Sequence, residues 1–314
     1  MAEDIDAAKR RAALAQPLNN PGFEPTSSLI EVDVAAASNR GKLRYQNTDH
    51  YLAVRLGRVQ ETLLTSLAAD DLPRRFSEYA YAMLVADGFG DSGPGARASR
   101  VALSAIAHLA IRYGRWHVRT EPEKFAEIVG QGEFFFRHAN EAVIEASRAD
   151  FRLAEMATSM TAVYIAGTDL FFAHVGHSKA FIFRQGELIP LTHDHTAVPE
   201  GRHHAPGPPP PGRLDLHHLV TESIGARAGG PRVEIEHVQL WVGDRILLCT
   251  NGLTDAVKAD RIADVLALRR KPQDTCDALV QLALEAGGPD NVTVVAADYT
   301  VRGADQAGAQ PLVA

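Results

Sequence analysis

The chain has 314 residues, 46% of them hydrophobic and 23% charged, which is long enough for one large domain or two small ones with a sizeable core. Its net charge of -7 and the lack of any Lys/Arg run longer than Lys9-Arg10-Arg11 argue against a general nucleic-acid binder. No stretch approaches the ~18 apolar residues of a membrane helix. The acidic start Met1-Ala2-Glu3-Asp4 is not followed by an apolar segment, so a secretory leader is not expected and the expected compartment is the cytoplasm.

In chain order, residues 1–28 are rich in Ala, Asn and Pro and read as a loose arm before a domain spanning 29–300. Leu29 to Ala36 alternates as a strand, with His50-Tyr51-Leu52-Ala53-Val54 expected as its hairpin partner. The polar stretch between them carries Arg40, Arg44, Asn47 and Asp49. Residues 56–79 read as a long connection to a strand at Tyr81 to Ala86. Apolar residues at helical spacing predict helices over 97–113 and 122–147.

Beyond the helices, 161–166, 170–175 and 180–184 predict three short strands, followed by a Gln185-Gly186 hairpin turn. Strands this close together, without intervening helices, require antiparallel pairing. Helical spacing returns at 259–268 and 273–286, before a last strand at 292–298. Cys249, inside Ile246-Leu247-Leu248-Cys249, reads as a small buried thiol, and with Cys276 it gives no disulfide framework. Four prolines, Pro208 to Pro211, flanked by His203-His204 and His217-His218, suggest an exposed stiff loop rather than a zinc helix. The segment from residue 301 onward reads as a disordered tail.

The chemistry concentrates at strand ends. Val85-Ala86-Asp87-Gly88 is an apolar strand closing on an aspartate and a glycine, and Leu248-Cys249-Thr250-Asn251-Gly252 and Gly288-Pro289-Asp290-Asn291 are weaker versions of it. Oxygen ligands at the mouth of a buried strand suit Mg²⁺ or Mn²⁺. Each has an ordinary reading too: D-G is a common turn, and Asn47-Thr48-Asp49 fits an Asx turn. Three carboxylates at strand ends of one antiparallel domain are a stronger signal than any one alone. Arg44, five residues before Asp49, adds a guanidinium that can hold two phosphate oxygens, although a lone arginine is more often a surface residue.

Taken in order, these landmarks resemble the metal-dependent serine/threonine phosphatases of the protein phosphatase 2C family. The resemblance covers about residues 30–299 and rests on Arg44-x-x-Asn47-x-Asp49, Asp87-Gly88, Ala157-Thr158-Ser159-Met160-Thr161, Val175-Gly176-His177-Ser178-Lys179, Leu191-Thr192-His193-Asp194-His195-Thr196 and Gly287-Gly288-Pro289-Asp290-Asn291-Val292-Thr293. It implies an α-β-β-α sandwich, two antiparallel sheets flanked by helices, with two Mn²⁺ or Mg²⁺ ions in the cleft between the sheets. It further implies that Asp87 bridges the ions, the Gly88 carbonyl serves one of them, Asp290 holds the other and Asp49 acts through or beside its water shell. On this resemblance a metal-activated bridging water attacks the phosphorus of phosphoserine or phosphothreonine in a protein, with Arg44 clamping the phosphate. The expected partners are phosphorylated proteins, among them a serine/threonine kinase or its targets, and the chain is expected to be a monomer.

Three departures bear on that expectation. Thr48, His177 and Asn251 stand where the family usually has acidic residues. Asn251 still offers an oxygen as a metal ligand, but the lost charge should weaken metal affinity, and a third ion site should be absent or altered. His177 reads as a general acid, as a residue that favours softer divalent ions such as Mn²⁺, or as an inert turn residue. The same departures motivate an alternative, a phosphatase-like binding or regulatory protein with weak or no turnover. Hydrolysis of a small phosphoester by the same centre is a third reading.

Overall fold

The computed structural model describes residues 26–302 except 69–70, 90–92, 115–116, 119–121, 155 and 198–218. Of the arm expected over 1–28 and the disordered tail expected from 301, residues 1–25 and 303–314 lie outside the described residues, as does the proline loop with its histidine pairs; residues 26–28 instead belong to a helical turn and Val301 to a strand.

Among the described residues, ten strands form two antiparallel sheets. The first has the order β1 (Ile30–Asn39), β10 (Val292–Val301), β9 (Arg245–Cys249), β6 (Lys179–Arg184), β7 (Glu187–Pro190). The second runs β2 (Asp49–Glu61), β3 (Arg75–Gly88), β4 (Thr158–Ala166), β5 (Asp169–Val175), β8 (Glu234–Gln239). Of the helices, α1 (Thr26–Leu29) and α4 (Asn251–Thr254) are single turns. The longer α2 (Gly93–Tyr113) and α3 (Phe125–Ala149) cover the second sheet, while α5 (Ala259–Ala267) and α6 (Pro272–Glu285) cover the first.

The layering follows from the two-residue period of buried strands. Successive side chains point to opposite faces, so a strand packed on both sides must be apolar throughout. On β10, Val295, Ala297 and Tyr299 enter the core between the sheets, whereas Val292, Val294 and Ala296 face the helices. On β3, Met83 and Val85 join that central core, and Leu84 and Ala86 pack on α2 and α3 with Ala98, Ala102 and Phe136. The result is the expected α-β-β-α sandwich. None of the described helices is long and apolar enough to cross a membrane.

Three expectations about strands and their pairing are corrected. His50–Val54 is not the hairpin partner of β1: β1 pairs with β10, and β2 pairs with β3 in the other sheet. Residues 56–79 are only in part a connection: β2 runs to Glu61 and β3 starts at Arg75, so the two ends of that stretch extend a two-stranded ribbon and 62–74 join them. The three close strands also divide. β4 and β5 pair, but β6 joins the first sheet beside β9, and the turn Gly176-His177-Ser178 carries the chain across. The β6–β7 hairpin forms as expected, with Gln185 and Gly186 both at positive φ.

Arg245 is a tightly enclosed charge, at 1% exposure. Its guanidinium donates to both oxygens of Asp298, its register partner on β10, and to the carbonyls of Leu266 and Arg270 behind α5. Removing one member of such a pair leaves the rest unpaired in the core, at a cost of about 3–5 kcal/mol. Arg245→Ala should therefore lower the unfolding free energy by about that amount and move the urea midpoint down by that loss divided by the m-value. An unchanged midpoint would mean that the pair contributes nothing net.

Candidate metal centre

Both crossovers that carry the described chain directly from strand to strand at one end of the sandwich meet at a single cleft. One is the 40–48 segment between β1 and β2, the other is the turn between β5 and β6. At this end Asp49 opens β2, Asp87 is the penultimate residue of β3, Asn251 follows β9 and Asp290 precedes β10. Asp49 and Asp87 are direct cross-strand partners, so their side chains leave the same face side by side.

Neutral hydrogen bonds hold this arrangement. Asp49 is 5% exposed; its Oδ2 accepts from the Thr250 hydroxyl at 2.7 Å, which ties β2 to the opposite sheet. Asn291 is the main tie between loops. Its Oδ1 accepts from the Thr48 N–H at 2.7 Å and the Thr48 hydroxyl at 2.9 Å, and its Nδ2 donates to the Arg40 and Gln46 carbonyls. Thr48 thus serves the scaffold, and a carboxylate there would face an acceptor. The Asn47 side chain accepts from the Asp49 N–H at 3.1 Å, so the Asx turn is real and coexists with the clustered carboxylates. Gly88 has a packing reason of its own, since a Cβ there would strike the Gly95 backbone at the start of α2.

The electrostatics favour a cation. Burial, then the charge of Asp290, push the Asp87 carboxyl up to about 7. Burial, then the charge of Asp87, hold Asp49 well above the usual carboxylate range. Asp49 Oδ1 and Asn251 Oδ1 are buried polar atoms without a hydrogen-bond partner among the described residues. Clustered carboxylates that resist ionisation together, beside two unsatisfied oxygens, are the donor set of a hard divalent ion. The residues fit Mg²⁺ or Mn²⁺.

Three further positions complete the site. Arg44 donates from Nε and Nη2 to the two oxygens of Asp290, both at 2.7 Å, so the guanidinium grips a carboxylate where the sequence suggested a phosphate clamp. His177 Nδ1 lies 3.8 Å from Asp87 Oδ2, and its ring packs edge-on against Phe89 at 5.4 Å between centroids. Asn251 donates from Nδ2 to Asp255 Oδ2 at 2.9 Å. Asp255 and Thr250 were not among the expected site residues. The spacing of Asp255, four residues after a residue that opens a helix, is the sequence signal that places it there.

Comparison with known proteins agrees with this architecture. The model of the protein phosphatase 2C family matches residues 67–283. Among curated relatives, the serine/threonine protein phosphatase PstP of Mycobacterium tuberculosis is 31% identical over 76% of this chain, but the match spans only 44% of that protein, less than half its length. The serine/threonine phosphatase stp of Listeria monocytogenes is 26% identical over 85% of this chain and 97% of its own. Among solved structures, the catalytic domain of PstP in complex with two manganese ions superposes with a TM-score of 0.65 at 28% identity, covering 86% of this chain and 99% of that one. The Mycobacterium tuberculosis PstP structure at 25% identity gives 0.66, covering 85% and 98%.

The raised Asp87 pKa has a consequence for stability. A folded-state value above the unfolded one means that the folded protein binds this proton more tightly. The metal-free fold therefore loses stability as pH rises from about 4 to about 7. Asp87→Asn cannot ionise and escapes that loss. In chelator, the variant should melt several degrees above the parent at pH 8 and level with it near pH 4, whereas Mn²⁺ should raise the parent's melting temperature far more than the variant's. Equal metal-free melting at pH 8 would remove Asp87 from the strained cluster.

Proposed function

From the premise that this chain belongs to the protein phosphatase 2C family, we propose that it hydrolyses phosphoserine and phosphothreonine in proteins, using two Mn²⁺ or Mg²⁺ ions held by Asp87, Asp290, Asp49, Asn251 and the Gly88 carbonyl. The observation that carries the reading is the convergence of three aspartates from both sheets on one cleft, with Asp49 Oδ1 and Asn251 Oδ1 buried and unsatisfied. The phosphoproteins expected as substrates are a serine/threonine kinase or its targets, met in the cytoplasm by a monomeric enzyme.

When bound, the ions supply Lewis acidity toward phosphoryl oxygens and bring the pKa of water within reach of neutral pH. The chain's own residues do the rest. Asp87 and Asp49, in register on neighbouring strands, fix the position of the charge that the ions balance. Thr250 and Asn291 keep those carboxylates from spreading apart, since each links segments from different parts of the fold. Arg44 has two partners to choose between. Its grip on Asp290 neutralises that carboxylate; were Asp290 to hold a cation, the same guanidinium fork would be suited to the oxygens of a dianionic phosphate monoester.

Attack by water on phosphorus breaks the bond to the serine or threonine oxygen, which leaves as an alkoxide and needs a proton. His177, beside Asp87 and only 8% exposed, is the side chain proposed to donate it. Phe89, packed on its ring, has no proton to give and restricts how the imidazole can turn.

The test is phosphate release from a phosphothreonine peptide across Mn²⁺ and Mg²⁺ titrations, with Asp87→Asn in parallel. Metal-dependent release, reduced at least about a hundredfold in the variant, is the expected result. No release at millimolar Mn²⁺ from folded protein would instead favour the phosphatase-like binding protein. For the proton donor, His177→Ala should lower kcat by about 10²–10⁴-fold and erase one limb of its pH profile. A profile that keeps both limbs would return His177 to a purely structural turn.

A further inference from the structure

Asn251 is an ambiguous ligand. An amide presents an acceptor at Oδ1 and a donor at Nδ2, and rotation of the side chain by half a turn exchanges them. An ion is attracted by one end and repelled by the other. A ligand of this type is useful only if something fixes which end faces the ion.

The structure contains such a device. Asn251 opens the single-turn helix α4, and Asp255 stands four residues later, on the same side of the turn. Asp255 Oδ2 accepts from Asn251 Nδ2 at 2.9 Å, and the Asp255 N–H donates to the Asn251 carbonyl at 2.8 Å. An ionised carboxylate has only acceptors, so it can face only the NH₂ end of the amide. The oxygen is thereby turned away from Asp255. That oxygen is buried, on a residue only 6% exposed, and has no hydrogen-bond partner among the described residues. Leaving such an acceptor unsatisfied is unfavourable, and a cation is the partner that would satisfy it.

The neighbouring backbone brings this residue close to the acidic cluster. A Cβ on Gly252 would run into the Asn291 carbonyl and would reach 3.4 Å from the Asp290 Cβ, so the Asn251-Gly252 step is pressed against the Asp290-Asn291 step. Asp255 itself is exposed. Its charge nonetheless reaches Asp87, where it adds to the upward pressure on that carboxyl.

We infer that Asp255 is a positioning residue for the metal centre: by holding the NH₂ end of Asn251 it presents the amide oxygen to the divalent ion, so that a neutral residue does the work of a carboxylate ligand. The inference rests on the reading of Asn251 as a ligand. It also accounts for the pairing of residue types. An aspartate at 251 in the same rotamer would set two carboxylates about 3 Å apart, a distance at which both cannot stay ionised without a proton or cation between them. The asparagine removes that conflict and keeps an oxygen for the ion.

The experiment is calorimetric titration of Mn²⁺ into chelator-stripped protein, for the parent chain and for Asn251→Ala, Asp255→Ala and Asp255→Asn, with thermal melts to establish folding. Asp255→Asn keeps a carbonyl that can accept from Asn251, while Asp255→Ala has no acceptor. If orientation is the role, Asp255→Ala should bind Mn²⁺ about tenfold more weakly or worse, and Asp255→Asn should remain within about threefold of the parent. Equal losses in both variants would assign the effect to charge and overturn the inference, as would parent-like binding by Asp255→Ala. Asn251→Ala separates the two levels. If it binds Mn²⁺ like the parent, the ligand reading itself falls; if it binds weakly while Asp255→Ala does not, only the positioning role falls.

Discussion

The constraint on which the site depends is repulsion between carboxylates that the fold forces together. Asp49 and Asp87 are cross-strand partners at the end of the second sheet, and Asp290 meets them from the first. Desolvation and mutual charge both oppose their ionisation. Left to local forces, these side chains would turn toward solvent or separate. What prevents it is a set of neutral ties, chiefly Thr250 to Asp49 and Asn291 to Thr48, together with a sheet register that cannot slip without exposing a hydrophobic face. Stability lost at the cleft is supplied by the central core, where Val85, Ile165, Leu248 and Tyr299 are fully buried.

Seen this way, several residues that resemble deficits are parts of a different balance. Thr48 lacks the negative charge of a carboxylate but donates twice to Asn291, and so fixes the loop that carries Arg44. Asn251 lacks a charge too, yet its oxygen lies buried and unsatisfied while the Asp255 carboxylate holds the other end of the amide. Arg44 spans the gap in the opposite sense, contributing a positive charge to Asp290. The centre carries less formal charge than three aspartates and two further acids would give, and its geometry is correspondingly more dependent on hydrogen bonds.

How much of this was legible in the sequence depends on the range of the interaction. Strands ending in D-G or D-N announce their oxygens locally, and the apolar runs before Asp87 and after Asp290 identify the strands that bear them. The long helices and the Gln185-Gly186 turn are also local signals. Partner choice is not. Alternation in 29–36 marks a strand without saying that its neighbour is β10 rather than β2, and proximity in sequence favoured the wrong answer. The β2–β3 ribbon was hidden because Gly57, Arg58, Gln60 and Glu61 interrupt its apolar pattern where the strand has become exposed on both faces. The grip of Arg44 on Asp290 joins residues far apart in the chain, and no periodicity could signal it. The mismatch over the Arg44 partner is informative for a physical reason: a guanidinium fork fits a carboxylate as well as a phosphate, so residue type alone cannot choose between them.

The pairing of β1 with β10 along their full lengths has a temporal side. During synthesis the N-terminal strand emerges long before its partner, and its hydrogen-bonding edge must wait while the second sheet and its helices assemble. Contacts of such sequence separation are late to form, because loop closure must be achieved before they reward the chain. Asp290, Asn291 and the loop they anchor arrive only with that last strand. A ribosome-bound fragment ending at residue 285 would hold Asp49, Asp87, His177 and Asn251, but Arg44 would have no Asp290 and Thr48 no Asn291. Assembly of the cleft thus waits for β10, and a chain stopped short of that strand carries no finished centre.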